Sequence, residues 1–269
     1  MSRKRKGEAV EEEEAVAAAS APAPPPVPTD PFAERLALER KEEDLLIRIY
    51  ALEDDIARGE GREEEEDGEE DEDWEAPDWC VPIKADVTQL DWKALASETP
   101  FDVIMMDPPW QLASHAPTRG VALGYDQLPD TMIEDMPVET LSKDGFIFIW
   151  VINAKYAKAF ELMRRWGYTY VDSIDWVKMT VNRRMAKGHG FYLQHAKETC
   201  LVGKKGADPP NTRRGIGSDV IFAERRGQSQ KPEEIYELIE ELVPNGRYLE
   251  IFARRNNLRD YWVSIGNEL

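Results

Sequence analysis

From Asp78 to the C-terminus, short apolar runs recur with room for a covering helix between several of them. The runs span residues 81–87, 101–106, 145–151, 169–177, 199–202, 220–223, 247–252 and 262–265. Several are almost continuously apolar, as expected of strands buried on both faces. Helix-period stretches cover 130–142, 154–166 and 232–243, the second capped by Asn153 and the third opening at Pro232. This alternation predicts an α/β, doubly wound and mostly parallel sheet. In such sheets ligands bind beyond the carboxyl ends of the strands.

One strand end stands out. The run 101–106 stops at Asp107-Pro108-Pro109-Trp110, and two prolines forbid both helix and ladder pairing. An acid, a carbonyl fixed by proline and an aromatic plane suit one demanding reaction. The exocyclic amine of adenine is a poor nucleophile because its lone pair is delocalised into the ring. A carboxylate and a carbonyl that each accept one N–H would draw that lone pair out, while Trp110 holds the base plane. The base would have to be unstacked or flipped to reach them, and no metal is required. The plainer reading is an Asp-Pro turn with Trp110 in the core. A second Asp-Pro-Pro, at 208–210, follows no apolar strand and precedes no aromatic, so it reads as a loop.

Charge and composition bound the alternatives. The net charge is -19, but residues 1–75 carry 26 Asp/Glu against 10 Lys/Arg, which leaves the remainder near neutral. A nucleic-acid substrate is therefore not excluded, although the chain lacks a strong electrostatic footprint. Two cysteines and three histidines, without zinc-ligand spacing, argue against a metal module and a disulfide framework. No apolar run is long enough to span a bilayer, so no membrane association is expected. Residues 1–29 read as a disordered Ala/Pro/Glu tail whose basic start at 3–6 is either a nuclear import signal or a chance cluster. Residues 30–59 read as a helix with Leu38, Leu45, Ile49, Leu52 and Ile56 on a heptad seam, and 60–77 as an acidic linker. Residues 78–269 form the remaining domain.

Seven ordered blocks now carry a resemblance: "DPPW", "DGFIFIWV" (144–151), "WGYTYVDSIDWVK" (166–178), "HAKETCLVGKKG" (195–206), "SQKPEEIYELIE" (229–240), "LEIFARRNN" (249–257) and "WVSIGNEL" (262–269). Together they resemble the N6-adenine methyltransferases known as the MT-A seventy-kilodalton-subunit family. The resemblance implies a Rossmann-like fold using S-adenosylmethionine, with the catalytic motif preceding the main cofactor-binding segment. It implies a catalytic role for Asp107, Pro108, Pro109 and Trp110, and cofactor contacts from Asp86, Val87, Asp107, Lys231, Arg254, Asn256, Asn257, Asn267 and Glu268. Here "ARRNN" departs from the commoner "GRPHN", with Asn256 in place of His and Arg255 in place of Pro. That departure weakens the role of Asn256 more than the function.

For the substrate, the resemblance places Tyr125 near the methyl group. The loop 179–196 interleaves Arg183, Arg184 and Lys187 with Phe191 and Tyr192, a pattern that fits phosphate contact and base stacking as well as an ordinary solvated loop. Glu198 is expected to position the flipped base, and Arg213 and Arg214 are further phosphate candidates. The messenger-RNA members carry zinc fingers that these cysteines cannot build. The short acidic leader is similar in style to the DNA enzymes of ciliates and related protists, so DNA is the expected substrate and RNA the alternative. That likeness also implies a motif-less methyltransferase paralogue and small DNA-binding subunits as partners. The 38–56 helix, isolated between a low-complexity and an acidic segment, is the expected docking element, and the basic start makes a nuclear location the expectation. Two other classes remain: a non-catalytic paralogue, disfavoured by the intact motif, and an enzyme for small molecules or proteins, disfavoured by the basic-aromatic loop.

Overall fold

The computed structural model of the chain describes residues 76–111, 127–188, 192–226 and 230–269. The expected tail, heptad helix and all but the last residues of the acidic linker lie outside them, as does Tyr125. The strands are β1 (Val81–Lys84), β2 (Val103–Met106), β3 (Gly145–Val151), β4 (Thr169–Met179), β5 (Lys197–Lys205), β6 (Val220–Glu224), β7 (Tyr248–Ile251) and β8 (Trp262–Gly266). The helices are α1 (Trp92–Glu98), α2 (Asp130–Glu134), α3 (Tyr156–Arg165) and α4 (Glu234–Leu242).

All eight strands form one sheet in the order β1-β8-β7-β2-β3-β5-β4-β6. Neighbours are parallel except that β5 runs against both β3 and β4. Alternate side chains of the central strands feed two separate cores. Ile104, Met106, Ile147 and Ile149 pack with Ile133, Leu162 and Trp166 on one face. Val103, Met105, Phe148 and Trp150 pack with Ile235, Tyr236 and Ile239 of α4 on the other. Burial on both faces is why these strands read as unbroken apolar runs.

Three helix expectations need correction. The 130–142 stretch is two elements, because Pro137 supplies no amide and interrupts α2 before a 3-10 turn at Val138–Thr140. Asn153 caps nothing with its side chain; it opens a 3-10 turn ahead of α3, and its Nδ2 lies 3.3 Å from His195 Nε2. Helix α1 was not expected. Asp91 begins it by accepting a hydrogen bond from the Ala94 amide at 3.0 Å, and the Trp92 indole anchors it by donating to the Val87 carbonyl at 2.9 Å.

Candidate active site

The parallel strands β1, β8, β7, β2 and β3 all end on the same side, and a cleft of about 270 Å³ opens there. Ala85, Asp86 and Val87 follow β1, Asn267 and Glu268 follow β8, Phe252 and Arg254 follow β7, Asp107 follows β2 and Ile152 follows β3. Because β5 runs the other way, it brings its beginning, with Glu198, to this same end. Chain segments far apart in sequence thus converge because each strand delivers the residue just past its end.

At the centre sits a line of alternating charge. Lys231, only 6% exposed, lies 2.7 Å from Asp107 Oδ2 and 3.1 Å from Glu198 Oε2. The other oxygen of Glu198 accepts from Lys178 at 2.5 Å. The Lys231 ammonium also lies 5.3 Å from the centre of the Trp150 ring, within cation–π range. Burial opposes the charge of Lys231, but its two carboxylates outweigh that and hold it well above the usual lysine range. Burial equally opposes the charge of Glu198, yet Lys231 and Lys178 together bring it down to about 2. Asp107 behaves oppositely. Burial pushes its carboxyl above the usual range, Lys231 offsets only part of this, and the charge of Glu198 adds to it. Two carboxylates share one lysine, and Asp107 is the one that more readily takes a proton.

The residues after Asp107 are held rigidly. The Pro108 carbonyl accepts from the Trp110 amide at 2.7 Å, which fixes its direction, and the Pro109 carbonyl accepts from the Leu128 amide at 2.9 Å. Trp110 is 5% exposed and donates its indole N–H to the Trp150 carbonyl at 3.0 Å. It is therefore a core residue and a cleft wall at once, so the two readings of this tryptophan are not exclusive. The 208–210 Asp-Pro-Pro is a loop, with Asp208 spent on Lys204 and Arg214.

The other expected residues divide by position. Asp86 lies past the end of β1, not within it. Its carboxylate is already engaged by the Thr88 hydroxyl at 2.7 Å, the Thr88 amide at 2.8 Å and Gln89 at 3.1 Å, contacts that hold it below the usual range. Arg254 pairs with Glu268 across the cleft wall at 3.1 Å, and Asn267 lies beside them. Asn256 and Asn257 do not line the cleft. Asn256 is exposed and gives its carbonyl to Gln230, whereas Asn257 keeps a buried Oδ1 with no hydrogen-bond partner among the described residues.

The structure does not bring the basic candidates to the cleft. Arg183, Arg184 and Lys187 are exposed on the β4–β5 connection, with Arg183 in the left-handed conformation at φ 54°. The Arg213 amide binds the carbonyl of Leu242 at the end of α4, the end opposite Lys231, and Arg214 is paired with Asp208 at 2.6 Å. Among the described residues no group of His, Cys, Asp and Glu is placed to hold a metal ion, and no helix is long and apolar enough to cross a membrane.

Sequence reasoning missed Lys178, Trp150 and Gly266. A Cβ on Gly266 would lie 2.0 Å from the Ala253 carbonyl oxygen, so only glycine lets β8 approach the end of β7 here. Lys178 follows an apolar strand end much as Asp107 does, and that was the available signal.

Beneath the cleft, Glu250 on β7 is buried between the sheet and α4. It accepts from the Tyr236 hydroxyl at 2.9 Å, and its second oxygen has no hydrogen-bond partner among the described residues. Burial, only partly countered by that hydroxyl, pushes its carboxyl up to about 8.

The MT-A70 family model matches residues 101–268. Over 195 residues, or 72% of this chain, the sequence is 38% identical to the N(6)-adenosine-methyltransferase MT-A70-like protein of Drosophila melanogaster, covering 30% of that protein. It is also 38% identical over 195 residues to the N(6)-adenosine-methyltransferase catalytic subunit METTL3 of Homo sapiens, covering 31% of it. Similarity to the non-catalytic subunit METTL14 of Drosophila melanogaster is lower, at 29% over 206 residues and 50% of that protein. The chain thus spans under a third of the length of the first two of these relatives.

Proposed function

The chain belongs to the MT-A70 family, and from that premise we propose that it moves a methyl group from S-adenosylmethionine to the N6 amine of adenine in a nucleic acid. The observation that carries this reading is Asp107. A carboxylate with a raised pKa stands past the end of β2, beside a Pro108 carbonyl whose direction is fixed before any substrate arrives. Together they accept the two hydrogens of an exocyclic amine and favour the tetrahedral nitrogen of the transition state.

When bound, the donor supplies an electrophilic methyl on a sulfonium that leaves as a thioether. The residues present suit it. The cleft approaches the size of ordinary ligand sites, about 300–1,000 Å³. The Gly266 backbone lines the cleft where β8 comes close to the Ala253 carbonyl at the end of β7, and Arg254, Asn267 and Glu268 offer donors and acceptors beside it. Asp107 has a second task. Once nitrogen gains the methyl group it must lose a proton, and a carboxylate whose pKa is raised is the better acceptor. Lys231 opposes the protonation that burial favours at that carboxylate, and Glu198, held at about 2, stays charged and orients Lys231.

Sequence reading favoured DNA as the substrate; we now place RNA first. The relatives above are described as adenosine methyltransferases, and adenosine is the ribonucleoside. DNA, with its accessory DNA-binding subunits, becomes the second reading. A catalytic role is supported over a structural one by the intact Asp107–Lys231 pair and by higher identity to the catalytic than to the non-catalytic relative. The existence of a non-catalytic relative supports a paralogue partner. A nuclear location rests only on the basic residues 3–6.

The test is transfer of labelled methyl from S-adenosylmethionine to matched RNA and DNA oligonucleotides, with and without a co-expressed paralogue. Asp107→Asn should lower the single-turnover rate by about 10²–10³ while the protein stays folded by circular dichroism at the assay temperature. Label on DNA alone would overturn the RNA assignment, and near-normal turnover by the variant would overturn the role of Asp107.

A further inference from the structure

The sheet ends at β6, whose strand pairing among the described residues is with β4 alone. The Asp219 carbonyl and the Arg225 amide both bond to β4, so the odd-numbered positions face that neighbour. The peptide groups of Phe222 and Glu224 consequently point outward, while the Val220 amide is taken by the Ser218 hydroxyl at 3.1 Å. An open edge invites pairing with another chain, and proteins usually blunt or cover it. This one instead carries Phe222, 67% exposed.

A groove runs along the edge between β6 and α4, lined by Val220, Phe222, Glu234, Glu237, Leu238 and Glu241 among others. Glu234, Glu237, Leu238 and Glu241 follow helical i, i+3, i+4, i+7 spacing, so all four share one face of α4. The three glutamates are exposed and form no ion pair among the described residues; Glu237 acts on Arg259 at longer range, as one of several carboxylates that raise it. Their neighbours are paired: Glu233 meets Arg226 at 2.9 Å and Glu240 meets Arg259 at 2.6 Å.

We propose that this groove receives an extended, basic segment of a partner protein as a ninth strand beside β6. Strand side chains alternate between faces. Those turned toward α4 would meet three carboxylates and Leu238, which selects Lys or Arg with long aliphatic stems. Those turned the other way would lie beside Phe222, which selects apolar residues. The pattern recognised is therefore alternating basic and apolar, with main-chain hydrogen bonds supplying affinity and the side chains specificity. A nucleic acid is opposed by the same carboxylates. The inference does not depend on the substrate of the cleft.

The probe is a fluorescent peptide of about six residues alternating Arg and Val, titrated into the full chain and followed by anisotropy. A peptide of the same composition with its arginines in one block is the control. The alternating peptide should bind at least about fivefold more tightly, and Glu237→Lys with Glu241→Lys should weaken it about tenfold or more. Phe222→Ser should weaken it severalfold, whereas Glu98→Lys on α1 should not, and all variants should keep the parent melting curve. Equal binding of the two peptides, or unchanged binding by the groove variants, would reduce the effect to general attraction and overturn the proposal. Binding that emerges only after Arg3, Lys4, Arg5 and Lys6 are replaced by Ser would make the chain's own N-terminal segment the occupant, and would also overturn it.

Discussion

Replacing Lys231 by Met keeps most of the side-chain volume over Trp150 and removes only the charge that Asp107 and Glu198 share. Contacts at 2.7 and 3.1 Å correspond to gross attractions of about 6 and 5 kcal/mol at an effective dielectric of ~20. Desolvation offsets most of this, and breaking such a buried pair typically costs about 3–5 kcal/mol because the remaining charges are stranded. Titration offers a second route to the magnitude. Glu198 is held at about 2 against an ordinary 4.5 by Lys231 and Lys178 together, a stabilisation of ~3 kcal/mol that is an upper bound on the share of Lys231 at this carboxylate. Because its folded pKa is depressed, that stabilisation is fully present above pH ~4.5 and is lost as pH falls toward ~2. Urea unfolding at neutral pH should therefore show Lys231→Met less stable by about 3 kcal/mol. The gap should narrow between pH ~5 and ~3 as the stranded carboxylates protonate. A loss under about 1 kcal/mol, or one that is the same at pH ~3.5 as at 7, would refute the ion-pair account in favour of packing against Trp150.

Two further outcomes test the surroundings of the cleft. Gly266→Ala should destabilise the chain by more than about 2 kcal/mol and weaken S-adenosylmethionine binding in calorimetry, since its Cβ would lie 2.0 Å from the Ala253 carbonyl; unchanged affinity would remove Gly266 from the site. Glu250 has a folded pKa near 8 against an ordinary 4.5, so the native state binds the extra proton and stability should fall as pH rises through that window. Glu250→Gln, which keeps an acceptor for Tyr236, should flatten the pH 5–8 slope in urea melts, and an identical slope would show that Glu250 is ionised in the fold.

Strand placement was legible because two-sided burial leaves continuous apolar runs too short for a buried helix, bounded by Gly, Pro or Asp. The β2 and β3 sequences carry no polar residue at all, and each expected strand is present. Boundaries moved where a local hydrogen bond won. Asp86 gathers the hydroxyl and amide of Thr88, which turns the chain and ends β1 at Lys84 instead of Val87. Pro137 likewise outweighed an otherwise helical period. The direction of β5 was not legible, because the apolar content of a strand is the same whichever way it runs.

That direction decides the chemistry of the cleft. Were β5 parallel to its neighbours, Glu198 would sit at the far end of the sheet and Lys231 would face Asp107 alone. Running against them, β5 instead sets Glu198 opposite Trp176 in register, within reach of Lys178 two residues further along β4. Lys231 then has two carboxylates competing for one charge, and the second lysine settles which keeps its proton off most firmly. Glu198 has both cations and is driven to about 2, while Asp107, with one, is pushed upward. Sequence motifs could nominate Asp107, Glu198 and Lys231 one at a time, since each follows or precedes an identifiable element. The division of labour between the two acids depends on a pairing between strands that sequence spacing does not encode. It makes Asp107 the adjustable member of the pair, which suits the carboxylate that must accept a proton from the substrate.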